Sequence, residues 1–310
     1  MQTILGSNGQ IGEELARELK RHYTSEIRLV SRNPKKVNDT DAVFAADLMD
    51  LEQSKEAVKG SDIVYLTLGL PLDTKLWVEH FPIIMRNVIA ACKTHKAKLV
   101  YFDNTYMYPQ NSLTLTEETA FEPLGPKGMV RAEIASMLLE KIKLNHIEAV
   151  LCRAPEFYGP AKTQGFTNAL IINKIRKEKK LRVILSDSNL RTLIWTPDAS
   201  RATALIGNTP DAYNQTWHLP VDNNRLTSKQ FITLAEHVFD KKFHFSVLSI
   251  RTFKIGGLFV KALKEIQELL PRYTQDNIFV STKFEKRFPE FRITSYQEGL
   301  QCLRDEQKGN

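Results

Sequence analysis

The chain of 310 residues has little cysteine and no pattern of disulfide or metal-binding cysteines. Its three cysteines, Cys92, Cys152 and Cys302, are odd in number and lie far apart in the sequence. This spacing argues against a disulfide framework or a zinc site, and it predicts a reducing, cytoplasmic compartment with no bound metal. The sequence also lacks a basic and then apolar leader after Met1, so we expect no secretory signal.

Long apolar runs are also absent. The most apolar stretch, residues 255–263, is too short for a membrane-spanning helix, and Lys264 and Glu265 follow it directly. The hydrophobic content of 42% is nevertheless enough for a large buried core in one or two domains. We therefore expect a globular protein with no membrane partner.

The net charge of +7 raises the question of an anionic partner. The densest basic run, residues 174–182, contains no aromatic residues and is predicted to be the solvated face and C-terminal end of a helix. We therefore expect no nucleic-acid partner, because basic residues alone do not form a base-stacking surface. A phosphate-bearing cofactor or substrate would account for part of the positive charge.

The first dozen residues organise the rest of the chain. An apolar run over residues 1–5 is followed by three glycines at intervals of three, and then by a helical pattern. A strand, a glycine turn and a helix in this order are typical of the opening of a dinucleotide-binding βαβ unit. The glycines allow a tight turn, and the N–H groups at the helix start face the phosphates. The residues predicted to contact the cofactor here are Gly6, Asn8, Gly9, Gln10, Ile11 and Gly12.

Strands and helices alternate over the first half of the chain. Further strands are predicted over residues 27–30, 42–46, 62–69, 98–102 and 147–153. This alternation predicts an α/β protein with a Rossmann-type, doubly wound parallel sheet, whose ligands bind beyond the carboxyl ends of the strands. We predict a dinucleotide-binding domain over residues 1–160, to which residues 194–207 return, and a smaller α/β substrate domain over residues 161–310.

Three motifs together resemble one superfamily. The Gly-x-x-Gly-x-x-Gly spacing resembles the extended and atypical branches of the short-chain dehydrogenases/reductases, which include the NAD(P)-dependent epimerase/dehydratase family. Residues 153–160 resemble that family's Arg-x-x-Asn-x-Tyr-Gly-Pro motif, and residues 190–199 resemble its Arg-x-Phe-x-His-Val-x-Asp-Val segment. The resemblance covers nearly the whole chain and implies an NAD(P)-dependent oxidoreductase, epimerase or dehydratase.

The resemblance also implies cofactor contacts at the ends of later strands. Ser31 and Arg32 stand where NAD-binding members carry an acidic residue, and Arg32 is either a ligand of the 2′-phosphate of NADP or a surface turn residue. We therefore expect NADP as the cofactor, with NAD as the alternative. The remaining implied contacts are Asp47 and Leu48 at the adenine, Thr67, Leu68 and Gly69 at the riboses, and Pro155 and Phe157 at the nicotinamide.

The acid–base residues of that family are replaced in this chain. The catalytic serine or threonine falls on Asn104, which can hydrogen-bond a substrate oxygen but has no hydroxyl to transfer a proton. The Tyr-x-x-x-Lys pair becomes Lys127 and Arg131, and no tyrosine occurs between residues 109 and 149. Arg131 could still bind the ribose, and its charge could lower the pKa of Lys127, which would then be a candidate proton donor. Both cations share a helical face, which either meets cofactor oxygens or lies on the surface.

The proton donor must then be another group, and the candidates are Tyr106, Tyr108 and Lys127. Tyr106 is the first candidate because it is additional to the family pattern, and the alternative is that it only lines the cleft. Tyr108, Glu156 and Arg191 are expected to contact the substrate. Arg191 aligns with an arginine that contacts the substrate diphosphate in nucleotide-sugar epimerases, although it could be purely structural. Glu156 replaces an asparagine of the family and could accept a proton, bind a substrate amine or be solvated.

Two functions remain open at this point. The first is an NADP(H)-using enzyme that transfers hydride to or from a small carbonyl or hydroxyl compound or a sugar derivative. The second is a dinucleotide-binding sensor without turnover, similar to NmrA-type proteins, which keep the fold and lose the tyrosine. Relatives often dimerise through helices equivalent to those near Cys92 and Lys127, so a homodimer is a possible assembly.

Overall fold

A computed structural model describes residues 1–308 and shows two compact units. The first unit contains residues 1–107, 126–154 and 199–219, and the second contains residues 108–125, 155–198 and those from 220 onwards. The chain therefore passes between the units several times. The predicted domain boundary at residue 160, with residues 194–207 returning to the first domain, stays a prediction, because compact units are not necessarily domains that fold independently.

The secondary structure alternates as the sequence predicts. The strands are β1 Gln2–Leu5, β2 Ile27–Ser31, β3 Ala42–Ala45, β4 Ile63–Leu66, β5 Lys98–Asp103, β6 Ala149–Arg153, β7 Glu156–Tyr158, β8 Leu181–Ile184, β9 Leu190–Arg191, β10 Leu193–Trp195, β11 Thr216–His218, β12 Leu226–Thr227 and β13 Phe245–Leu248. The helices are α1 Gln10–His22, α2 Leu51–Val58, α3 Thr74–His95, α4 Gly125–Lys143, α5 Asn173–Arg176, α6 Thr196–Gly207, α7 Ser228–Phe239, α8 Ile250–Gly256, α9 Lys261–Glu265, α10 Thr282–Arg287 and α11 Tyr296–Lys308. A π-helical turn, Asn168–Ile172, and two 3₁₀ turns, Pro210–Ala212 and Gln267–Tyr273, complete the described elements.

The first unit is built around a seven-stranded sheet in the order β3-β2-β1-β4-β5-β6-β11. Every neighbouring pair in this sheet is parallel. The chain runs outward from β1 through β2 to β3, and then returns to β4 on the other side of β1. Ligands of such sheets bind at the carboxyl ends of the strands where the order reverses, which here is between β1 and β4. The predicted doubly wound parallel fold is confirmed.

Apolar residues on the strands and helices explain why this sheet is buried on both faces. Leu5, Val64, Val100 and Val150 lie on four adjacent strands and have no exposed surface. Helix α1 packs through a stripe at helical spacing that includes Leu15 and the other buried residues Ile11, Ala16 and Leu19. The sheet and its helices therefore form one core that holds the strand ends in place.

The second unit has its own core and three small sheets. Strands β7 and β10 are parallel, as are β8 and β13, whereas β9 and β12 are antiparallel. The rings of Tyr158, Phe231 and Tyr296 contact one another at the centre of this core. Helix α7 begins at a capping box in which Thr227 and Gln230 exchange hydrogen bonds.

The basic run over residues 174–182 differs from the sequence prediction. Helix α5 ends at Arg176, and Leu181 and Arg182 begin β8 instead of ending a helix. The helix stops because Glu178 adopts a left-handed conformation with φ of 51°. The alternating residues that follow then pair with β13. Over residues 1–308, no helix is both long and apolar enough to cross a membrane.

Candidate functional site

The turn between β1 and α1 contains two glycines that no larger residue can replace without strain. Gly6 has φ of +92°, and a Cβ there would lie 2.5 Å from the Cα of Leu68. A Cβ on Gly12 would lie 2.9 Å from the Cα of Ser7. Gly9 differs, because its Cβ would meet only the carbonyl oxygen of Gly6, at 3.8 Å. Gly6 and Gly12 therefore fix the backbone, whereas Gly9 leaves open space that a pyrophosphate can enter.

Helix α1 begins beside this open space without a side-chain cap. Its N-cap residue is Gly9, in an extended conformation, and this residue provides no side-chain cap. The N–H groups of a first helical turn and the positive end of the helix dipole favour an anion at this position. The side chain of Asn8 donates a 2.8 Å hydrogen bond to the carbonyl oxygen of Asn33, which ties the turn to the loop after β2.

The end of β2 carries a buried hydroxyl that lacks a partner. The Oγ of Ser31 is inaccessible to solvent and has no hydrogen-bond partner within the described part of the chain. Buried polar atoms are normally paired, so an unpaired one at the carboxyl end of a strand indicates a ligand or water at that position. Arg32 follows it and is exposed. Together with the glycine turn, these residues fit a dinucleotide with a phosphate or hydroxyl near Ser31.

The other residues predicted to contact the cofactor follow β3 and β4. The carboxylate of Asp47 accepts a hydrogen bond from the N–H of Met49 at 3.0 Å, and Leu48 is buried. The backbone of Leu68 packs against Gly6, and Gly69 faces open space. The hydroxyl of Thr67 donates to the carbonyl oxygen of Leu5 at 3.3 Å. Thr67, Leu68 and Gly69 therefore border the reversal point between β1 and β4.

Arg131 is enclosed by aromatic side chains. Its Cζ lies 4.2 Å from the ring centre of Phe81 and 4.9 Å from that of Trp77, and both rings belong to α3. Its NH1 donates a 2.8 Å hydrogen bond to the hydroxyl of Tyr101 on β5. Cation–π contacts of this kind are stronger when they are desolvated, as this one is. The guanidinium is therefore held in one orientation by protein groups.

Asp103 supplies the negative charge of the same cluster. Its carboxylate is fully buried and accepts hydrogen bonds from the Tyr101 hydroxyl at 3.0 Å and from the Nε of Arg153 at 3.2 Å. It also lies 3.7 Å from the NH1 of Arg131. Burial raises the pKa of Tyr101, so this phenol stays protonated and donates its hydrogen bond to Asp103. Tyr101 is thereby a fixed link between Arg131 and Asp103.

Lys127 lies one turn before Arg131 on α4 and is also buried. Its Nζ is 2.5 Å from the Oγ1 of Thr74, at the start of α3. The exposed fractions of Lys127 and Arg131 are 1% and 6%. The alternative that these two cations lie on the surface by chance is therefore wrong, because their shared face packs against α3 and β5.

Asn104 and Tyr106 follow β5 and border this cluster. The Oδ1 of Asn104 accepts the N–H of Tyr106 at 2.9 Å, and its backbone N–H donates to the Oδ1 of Asp103 at 2.9 Å. The side-chain nitrogen Nδ2 of Asn104 donates to no group in residues 1–308. The half-buried ring of Tyr106 stacks on Trp77 with a centroid distance of 5.8 Å and an interplanar angle of 13°. Trp77, which the sequence reasoning missed, therefore contacts both Tyr106 and Arg131. The sequence signal for Trp77 was its spacing of four residues from Phe81, which places both rings on one face of a helix.

Three further predicted site residues belong to the second unit. Tyr108 is fully buried and contacts Phe121 edge to face, with ring centres 6.0 Å apart. Pro155 is buried before β7, and Phe157 is half-buried on that strand. The packing of Tyr108 leaves no exposed surface for a ligand in this conformation. The predicted roles of all three residues stay predictions.

A cavity in the second unit contains Glu156 and Arg191. The Oε2 of Glu156 lies 3.0 Å from the NH2 of Arg191 and accepts a 3.0 Å hydrogen bond from the hydroxyl of Tyr273. The Oε1 accepts a 2.8 Å hydrogen bond from Thr167. Since the Glu156 side chain is only 10% exposed, the alternative that it is solvated is wrong. The other lining residues are Phe166, Leu170, Ile171, Arg182, Val183, Ile184, Leu193, Leu226, Thr227, Ser228 and Phe231.

Comparison with known proteins assigns the sequence to a family. The sequence profile of the NAD dependent epimerase/dehydratase family matches residues 3–219, which is more than half of the chain. Comparison with curated protein sequences gave no significant match.

Solved structures of similar fold cover almost the entire chain. The UDP-glucose 4-epimerase of Thermus thermophilus, in complex with NAD, is 16% identical with a TM-score of 0.77, covering 100% of this chain and 99% of that one. The UDP-glucuronic acid 4-epimerase of Bacillus cereus, in complex with UDP-glucuronic acid and NAD, is 16% identical with a TM-score of 0.79 and the same coverage. A dTDP-glucose 4,6-dehydratase of Streptomyces venezuelae, with NAD bound, is 14% identical with a TM-score of 0.79, covering 100% and 98%.

At these identities the structural likeness establishes the fold, and the profile match establishes the family. The prediction that the chain is an enzyme agrees with the epimerases and dehydratases that make up this family. The chain belongs to the NAD-dependent epimerase/dehydratase family.

Proposed function

We propose that this protein is an NADP(H)-dependent oxidoreductase of the epimerase/dehydratase type that acts on a small carbonyl or hydroxyl compound, including sugar derivatives. The glycine turn before α1 supports this most directly, because Gly9 leaves space for a pyrophosphate at the start of the helix, where the helix dipole favours an anion. A bound nicotinamide would supply the hydride acceptor or donor that an oxidation or reduction of the substrate requires. The residues of the chain then bind, orient and protonate the substrate.

The choice of NADP over NAD is based on the end of β2. Arg32 is exposed there and offers a planar cation to a 2′-phosphate, and the hydroxyl of Ser31 beside it has no protein partner within residues 1–308. An acidic residue at this position would instead hold the free 2′-hydroxyl of NAD, and none is present.

Replacing Arg32 with alanine is expected to weaken NADP binding about tenfold and to leave NAD binding unchanged. One charge-assisted hydrogen bond to phosphate corresponds to about 1.4 kcal/mol, which is this factor. Fluorescence titration of both cofactors against both proteins measures the ratio of dissociation constants. Equal losses for NADP and NAD would contradict the role given to Arg32, since only NADP carries the 2′-phosphate.

Asn104 and Tyr106 are the residues that we propose act on the substrate. Because the Oδ1 of Asn104 accepts the N–H of Tyr106, its amide nitrogen can donate to a substrate oxygen. Tyr106 is stacked on Trp77, which limits the motion of its ring, and its phenol would exchange a proton with the substrate. Lys127 and Arg131 provide positive charge at the same end of β5, and Arg131 cannot itself give up a proton near neutral pH.

Changing Tyr106 to phenylalanine is expected to slow turnover about 100-fold or more, with no change in NADPH affinity. The phenol is the proposed proton donor, whereas the ring that stacks on Trp77 is retained. The measurement is NADPH oxidation with a panel of aldehydes, ketones and keto-sugars, followed by fluorescence. Tyr23→Phe is the matched control, because Tyr23 is an exposed residue at the end of α1 and its change is expected to alter the rate less than about threefold. Equal rates for wild type and Tyr106→Phe would exclude Tyr106 as the donor.

A sensor without turnover is the second candidate, and the cluster around Arg131 favours it. The Tyr-x-x-x-Lys pair is replaced, and Arg131 is held by Trp77, Phe81 and Tyr101. A sensor would bind NADP and oxidise none of the compounds in the panel, and a protein partner would be recovered only in the presence of one cofactor form. An enzyme would instead consume NADPH with at least one compound, which the same assay detects.

A further inference from the structure

We propose that Glu156 makes the cavity of the second unit a site for an uncharged, hydroxyl-bearing ligand group and excludes nucleoside diphosphates such as UDP. This inference rests on the proposed function only in that Glu156 and Arg191 are expected to contact its substrate. It separates this chain from similar structures solved with UDP-glucuronic acid, although the fold is shared.

The first step concerns the cation that a diphosphate would need. Arg191 places its NH2 against Glu156, and its NH1 donates to the carbonyl oxygen of Arg272. Its Cζ lies 4.1 Å from the ring centre of Tyr273, so one face of the guanidinium is covered as well. The other arginine in the cavity wall, Arg182, donates a 2.5 Å hydrogen bond to the hydroxyl of Ser246. Protein groups therefore engage both NH groups and one face of the Arg191 guanidinium, and they engage NH1 of Arg182.

The second step concerns the charge of Glu156 itself. A phosphate that replaced it at Arg191 would have to displace a carboxylate held by Thr167, Arg191 and Tyr273. The displaced carboxylate would remain beside several new negative charges in a site where little water screens them. Like charges in such a site disfavour binding strongly, which is how a site rejects a competing ligand.

The third step identifies what the cavity can accept. A carboxylate has about four acceptor positions, and the described hydrogen bonds and ion pair of Glu156 use three of them, with Oε1 accepting only from Thr167. A hydroxyl of the ligand can occupy the remaining position. Most of the other lining side chains are apolar and include Leu170, Val183 and Phe231. The ligand group is therefore a compact one with a hydroxyl and an apolar surface, and without a phosphate.

The test uses UDP and uridine as probes in isothermal titration calorimetry. For the wild type, we expect UDP to bind no more tightly than uridine, because Glu156 already pairs with Arg191 and its charge repels the phosphates. For Glu156→Gln, which removes the charge and keeps the shape, we expect UDP affinity to rise at least tenfold. Glu156→Asp keeps the charge and is the matched control that should behave like the wild type. Adding Arg191→Gln to Glu156→Gln should abolish the gain.

Two results would overturn the proposal. One is a wild-type protein that binds UDP at least tenfold more tightly than uridine, and the other is a folded Glu156→Gln variant without any gain. Circular dichroism reports whether the variant folds, and if it does not, the comparison of UDP with uridine in the wild type decides alone. The proposed function is tested separately by NADP titration, which does not depend on the cavity. A wild-type protein that fails to bind NADP would contradict the proposed function and leave the result for the cavity unaffected.

Discussion

Alanine at position 6 is expected to lower the free energy of unfolding by about 3 kcal/mol. Gly6 has φ of +92°, which a residue with a Cβ adopts only with strain, and the added atom would lie 2.5 Å from the Cα and 2.6 Å from the N of Leu68. Backbone atoms cannot move aside as the end of a flexible side chain can, so β1 and β4 would have to separate at their carboxyl ends. Urea denaturation followed by circular dichroism measures the change.

Gly9→Ala is the matched variant, and its expected result is different. The Cβ at this position meets only the carbonyl oxygen of Gly6 at 3.8 Å, so we expect the stability to change by about 1 kcal/mol or less. The methyl group would occupy the space proposed for the pyrophosphate, and NADP affinity should fall at least tenfold or so. If Gly9→Ala bound NADP as the wild type does, the phosphates would not approach the turn at this residue.

Asp103→Asn is expected to cost about 3–5 kcal/mol of stability, the largest effect of a single charge change in the first unit. Asp103 is fully buried within 3.7 Å of Arg131 and 3.2 Å of Arg153. The amide is almost the same size, so the loss would come from the charge that the two guanidinium groups no longer face. Asp47→Asn changes an exposed carboxylate and should alter the stability by about 0.5 kcal/mol or less.

A double-variant cycle separates the charge effect from packing. The double variant Asp103→Asn/Arg131→Met removes the carboxylate together with one of its cations. The stability losses of the two single variants should therefore add up to more than the loss measured for the double variant. We expect a coupling of about 1 kcal/mol or more, measured by the same urea denaturation. Strict additivity would show that Asp103 and Arg131 are not energetically linked despite their proximity.

The order of strands and helices could be predicted because it depends on local patterns. Buried strands such as residues 98–102 are short apolar runs, and helices such as α7 carry their own caps, so each is specified by adjacent residues. The glycine turn could be identified for the same reason. The basic run over residues 174–182 could not be assigned correctly, because its end was decided by the pairing of β8 with β13.

The candidate site could be predicted only in part. Asn104, Tyr106, Lys127 and Arg131 were identified by their order relative to β5 and α4, and the structure brings them to one cluster. Their partners could not be read from the chain. Trp77 and Thr74 contact Tyr106 and Lys127 from α3, which lies about 30 to 50 residues earlier. Whether a cation is exposed or buried depends on such partners.

Residue types at short and fixed spacings were enough to specify the class of fold, the position of the dinucleotide turn and the loss of the Tyr-x-x-x-Lys pair. Long-range packing, in contrast, encloses Arg131 in aromatic rings and sets Glu156 against Arg191. Glu156 meets Arg191 across 35 residues and Tyr273 across 117, and no local pattern encodes contacts of that separation. The charge that a ligand encounters in the cavity is set by these distant pairs, because burial and proximity, and not residue type alone, fix the energy of a charge.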